Sequence, residues 1–74
     1  MKLLDVEVIR PGTVVRHQKR GTRYEIVTIG KLEATLIEHV VYRNLADSVV
    51  WIRPLVEFMG NNEDGVPRFV VEGS

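Results

Sequence analysis

The sequence predicts a small all-β domain: a small barrel or rolled antiparallel sheet of five to six short strands, with one helical or 3₁₀ turn near residues 54–59. Three observations carry that expectation. Short β-branched and aromatic runs recur along the chain, glycine, proline and asparagine punctuate them at regular spacing, and only one segment fits a helical turn. At 74 residues with 45% hydrophobic content and no cysteine, the chain is expected to form one domain, 1–74, stabilised by packing or by self-association rather than by disulfides.

The elements follow in order. Leu4, Val6 and Val8 alternate with Asp5 and Glu7, the period of a half-buried strand. Pro11-Gly12 marks a turn, and Thr13–His17 is a second strand. Gln18–Gly21 reads as a tight connection in which Gly21 supplies a positive φ. Thr22–Ile29 is a strand with Tyr24, Ile26 and Thr28 on one face and Val27 and Ile29 on the other, closed by Gly30. Lys31–Thr35 fits a loop or one helical turn. Leu36–Arg43 and Val49–Arg53 form a hairpin around the polar turn Asn44–Ser48. Pro54 cannot donate to a ladder and stops the second of these strands. Leu55–Met59 is a helical turn ended by Gly60, Asn61–Gly65 a loop, and Arg68–Val71 the last strand.

The hairpin sorts side chains by face. With Arg43 opposite Val49, Tyr42 faces Val50 and Val40 faces Ile52 as core, while His39, Val41, Arg43, Val49, Trp51 and Arg53 share the other face. That second face mixes an indole with forked donors, as binding sites do. A one-residue slip would send Trp51 to the core with Tyr42, where a lone tryptophan more often lies.

Arg16-His17-x-Lys19-x-Gly21 with Tyr24-Glu25, Val40-Val41-Tyr42-Arg43, Trp51-Ile52-Arg53-Pro54 with Phe58, and Asp64-Gly65-Val66-Pro67-Arg68-Phe69 occur in this order. Together they resemble an uncharacterised family of small bacterial and phage proteins, domain-of-unknown-function family 1653, over about residues 10–70. The resemblance implies a small SH3-like β-barrel and no assigned activity. Its polar signature falls on Arg16, His17, Tyr42, Arg43, Trp51, Arg53 and Arg68, and the chain departs from it between Gly30 and Ile37.

Chemistry is narrowed by what the residues offer. Two separated histidines, His17 and His39, without cysteine give no metal-ligand spacing, and no cofactor motif is present. Ser48 and Ser74 sit in a turn and at the terminus, so a serine nucleophile is not expected, and the chain reads as non-enzymatic. The acids within the first residues argue against a secretion signal, and no apolar run spans a membrane, so a cytoplasmic setting is expected.

Net charge is zero, yet Arg10 to Tyr24 holds five cations and no acid, and arginines outnumber lysines seven to three. The expected site is Arg16, His17, Arg43, Trp51, Arg53 and Arg68, binding an anionic, nucleotide-like ligand. A protein-interaction module inhibiting or docking on a host or defence protein is the alternative, nucleic acid the third, and homodimerisation is a possibility. Against the site stands a plainer role for these arginines, as cross-strand partners of Glu25, Glu38 or Glu72.

Overall fold

The computed structural model describes residues 2–3 and 6–72. Six strands, β1 (Lys2–Leu3), β2 (Val14–His17), β3 (Arg23–Lys31), β4 (Glu38–Asn44), β5 (Val50–Pro54) and β6 (Phe69–Val71), form one antiparallel sheet in the order β1-β6-β2-β3-β4-β5. One short helix, α1 (Leu55–Phe58), follows β5 directly. The fold is all-β as expected, but the sheet is open rather than closed into a barrel. β1 and β5 are its edges.

Aromatic packing curls the sheet. β6 and β4 are three strand spacings apart, roughly 14 Å in a flat sheet. Yet the rings of Phe69 and Tyr42 have centroids 5.7 Å apart, and Tyr24 on β3 stands edge-on to both. Phe58 from α1 enters this hollow, stacked on Phe69 at 4.2 Å and edge-on to Tyr42 at 5.1 Å. Ile9, Val15, Ile26 and Val40 complete the core, with Ile29 and Leu55 packed against it. Each aromatic contact adds about 0.5–1.5 kcal/mol beyond area burial.

Four expectations are corrected. Val6–Val8 form a turn rather than a strand, held by Arg10, whose amide donates to the Val8 carbonyl at 3.1 Å and whose Nε donates to the Glu7 carbonyl at 3.0 Å; Leu4 and Asp5 lie outside the described residues. β3 runs through Gly30, which pairs with His39, and the β3–β4 connection tightens into a turn with Leu36 at φ 62°. A bulge between Ile26 and Thr28 inserts Val27 as an extra residue. It breaks the two-residue period, so Ile29 joins Tyr24 and Ile26 on the inner face and Thr28 moves outward.

The fourth correction is the β4–β5 register. Asn44 belongs to the ladder, its N–H donating to the Val49 carbonyl at 2.9 Å, so the loop has four residues instead of five. The Asn44 carboxamide oxygen accepts from the Ala46 amide at 2.7 Å, and Ser48 turns the chain back at φ 63°. Tyr42 therefore pairs with Trp51 and Val40 with Arg53, while Val41 meets Ile52 and Arg43 meets Val50. Every side chain of β5 changes face relative to the expected pairing.

The helix is short, and its place depends on burial of Phe58. Phe58→Ala should cost about 3–5 kcal/mol, a large share of the stability of a chain this size. Val56→Ala, two residues earlier and 78% exposed, should shift the urea midpoint by no more than about 0.5 kcal/mol equivalent. Similar losses for both would show that α1 is not a core element.

Candidate functional site

The inner face opens into a cleft where the aromatic floor meets the sheet's curled rim. His17 from β2, Tyr24 from β3, Tyr42 from β4, Trp51 and Arg53 from β5, Phe69 from β6 and Arg20 from the β2–β3 turn line a volume of about 170 Å³. A second, more open region of about 380 Å³ shares His17, Arg20 and Arg53 and adds Lys19, Asn62, Glu63 and Arg68. One part is aromatic, the other polar. The three shared residues join them.

Local geometry sets each member. The β2–β3 turn closes with the Gly21 amide donating to the His17 carbonyl at 2.8 Å, Gly21 at φ 75°, which lifts Arg20 over the cleft. The Arg20 amide donates to His17 Nδ1 at 3.2 Å, and the imidazole stands edge-on to Phe69 at 5.2 Å. Arg68 donates from Nη1 to the Glu57 carbonyl at 2.7 Å, tying α1 to the start of β6. Trp51 shares the inner face with Tyr42, yet it lies on the edge strand and remains 52% exposed.

Electrostatics follow from this crowding. Burial lowers the His17 pKa below its ordinary 6.5, and the nearby Arg20, Arg53, Arg68 and Lys19 lower it further. Burial raises the Tyr42 phenol above its ordinary value, with Tyr24 acting the same way and Arg53 and Arg68 opposing. Lys19 is paired with Glu63 at 3.2 Å. Among the described residues, no carboxylate lies within ion-pair distance of Arg20, Arg53 or Arg68.

Of the expected site residues, the structure brings together His17, Trp51, Arg53 and Arg68. It does not bring Arg16 or Arg43 to them. Arg16 stands on the outer face beside Arg23, because it alternates with Val15 and His17, which point inward. Arg43 is also outward and is held by Glu25, one of the structural pairings the sequence left open; Arg23 is likewise held by Glu72 at 2.6 Å. Arg20, Tyr24, Tyr42, Phe69 and Lys19 complete the cleft. Tyr42 carries a signal in its place in the polar signature, whereas Arg20 and Lys19 are legible in the sequence only as cations of the tight connection Gln18–Gly21. Among the described residues no cluster of three metal-ligating side chains occurs, and no helix is long and apolar enough to cross a membrane.

Two measurements test this geometry. Trp51 is the sole tryptophan, so dilute protein should emit at the long wavelength of a hydrated indole. Iodide should quench it better than caesium, because the cations beside it concentrate anions; equal quenching would remove the cationic rim. His17 has a folded pKa below its unfolded value, so its contribution to stability is complete above pH 6.5 and is lost as pH falls through the lowered folded value. Urea midpoints between about pH 7.5 and pH 5 should fall less steeply in His17→Gln than in the parent, and parallel curves would place the titration elsewhere.

No curated protein and no solved structure matches the chain. A family model matches residues 13–71, from the start of β2 to the end of β6, and so takes in every strand that lines the cleft. The chain belongs to the family described as Protein of unknown function (DUF1653).

Proposed function

We propose that the protein is a non-enzymatic binding module for a compact anionic ligand bearing a flat ring, of which a nucleotide is the natural example. The observation that carries this reading is the two-part cleft: an aromatic floor with exposed Trp51 beside it, continuous with a polar rim where Arg20, Arg53 and Arg68 have no carboxylate partner among the described residues. An aromatic ring stacks on Trp51, and phosphate oxygens accept from the guanidinium forks. Neutral His17, with Nδ1 occupied by the Arg20 amide, offers its Nε2–H as a further donor.

On this reading the setting is cytoplasmic, the rolled sheet is an open variant of the SH3-like barrel, and the role is capture of a signal molecule, for example a host signal by a phage protein. Protein interaction is the second reading, supported by exposed Leu32, Leu36 and Ile37 at the β3–β4 hairpin.

Thermal-shift measurement against nucleoside phosphates, nucleosides and inorganic phosphate tests the first reading. A nucleotide at about a hundredfold excess over Kd should stabilise the chain by about 2.7 kcal/mol. Arg53→Ala should weaken that binding by about 1.5–3 kcal/mol with the fold retained, whereas Arg16→Ala on the outer face should leave it unchanged. Absence of any shift at millimolar nucleotide ends this reading. Steep salt dependence with oligonucleotides would favour nucleic acid, and co-purification of one stoichiometric protein would favour the second reading.

A further inference from the structure

The two edges of the sheet differ. β1 ends it with two residues, whereas β5 presents five, and Val50, Trp51 and Ile52 are 51%, 52% and 65% exposed. A long apolar edge is a template for another strand, and natural sheets usually blunt it. Among the described residues β1 offers only two, while β5 offers five and carries one charge, Arg53, and a terminal proline.

The phase of the ladder decides which backbone groups β5 leaves open. Asn44 donates to Val49, and the same register pairs Tyr42 with Trp51 and Val40 with Arg53. Bonded pairs alternate along an antiparallel ladder, so Trp51 and Arg53 direct their amides and carbonyls to β4. Val50 and Ile52 therefore direct theirs outward. Pro54, with no N–H, ends the available edge.

We propose that the chain pairs with a second copy of itself through β5, antiparallel, about a two-fold axis at Ile52. In this register Ile52 meets its counterpart, Trp51 meets the second copy's Arg53, Arg53 meets the second copy's Trp51, and Val50 meets Pro54. The segment is complementary to itself: each cation faces an indole on the inner face, and the apolar residues meet on the outer face. An axis at Val50 would instead run the second strand into the 45–48 turn, where Ser48 at φ 63° is not extended. Each cleft then acquires an arginine from the other copy beside Trp51, so the complete site is built from two chains. This inference rests on edge geometry and holds whether or not the ligand is a nucleotide.

Sedimentation and native mass spectrometry of the full chain over a concentration series should show a monomer–dimer equilibrium, with Trp51 emission shifting to shorter wavelength as the dimer forms. Ile52→Lys should weaken association at least about tenfold while the far-ultraviolet spectrum stays that of the parent. Ile52→Cys places the only thiol of the chain on the axis, where paired Cα atoms lie about 5.5 Å apart, within disulfide reach. Mild oxidation should give covalent dimer with Ile52→Cys and little with Val56→Cys. The proposal is overturned by a chain that stays monomeric at its solubility limit, by a dimer indifferent to Ile52→Lys, or by equal cross-linking from position 56. A monomer that captures an unrelated extended peptide at β5 overturns it equally.

Discussion

The stack of Phe58 on Phe69 is the contact on which the other features depend. Phe69 sits on β6 and Phe58 on the single turn after β5, so their union draws together strands from distant parts of the sheet. Tyr24 and Tyr42 close around the pair edge-on, each ring burying a large apolar surface in a chain short of core volume. The resulting curl has a consequence beyond stability. His17 on β2 and Arg53 on β5 would stand about three strand spacings apart in a flat sheet, yet Arg53 is near enough to depress the His17 pKa. The cleft is a product of core packing.

Arginine has two fates in this structure, and sheet face decides between them. On the outer face Arg43 meets Glu25 across the β3–β4 pair, and Arg23 reaches Glu72, just past β6, over the intervening β2; such solvent-accessible pairs contribute little to stability but neutralise charge. On the inner rim Arg20, Arg53 and Arg68 gather around an imidazole whose Nδ1 is already engaged by a backbone amide. Concentrated positive charge beside an aromatic surface raises the local concentration of anions without any net charge on the protein. Arg68 also clasps the α1 carbonyl of Glu57, so part of the rim is fixed by the same contact that secures the helix.

Two local devices set the faces. Val27 enters β3 as a bulge and returns Ile29 to the core, which a strict alternation would have turned outward. Asn44 enters the β4 ladder and shortens the following loop to four residues, moving Trp51 and Arg53 onto the inner face. Had the loop kept five, Trp51 and Arg53 would have turned outward beside His39 and Arg43, and the cleft would have lost both its indole and its β5 cation. Register in a hairpin is a small energetic decision with a large chemical outcome.

By itself the sequence determined the all-β class, β2, the existence but not the register of the β4–β5 hairpin, the turn at α1, β6 and the glycine turn at residue 21. These follow from local terms: β-branched runs, proline's missing donor, glycine's freedom at positive φ, and a family pattern carried by short motifs. Tertiary structure alone decided that the sheet stays open, that Trp51 and Arg53 turn to the inner face with Tyr42, and that Arg20, Tyr24 and Phe69 enter the cleft. Those outcomes depend on a single inserted residue in β3, on whether one asparagine pairs or turns, and on ring contacts between strands far apart in sequence. None of these leaves a period that could be read along the chain.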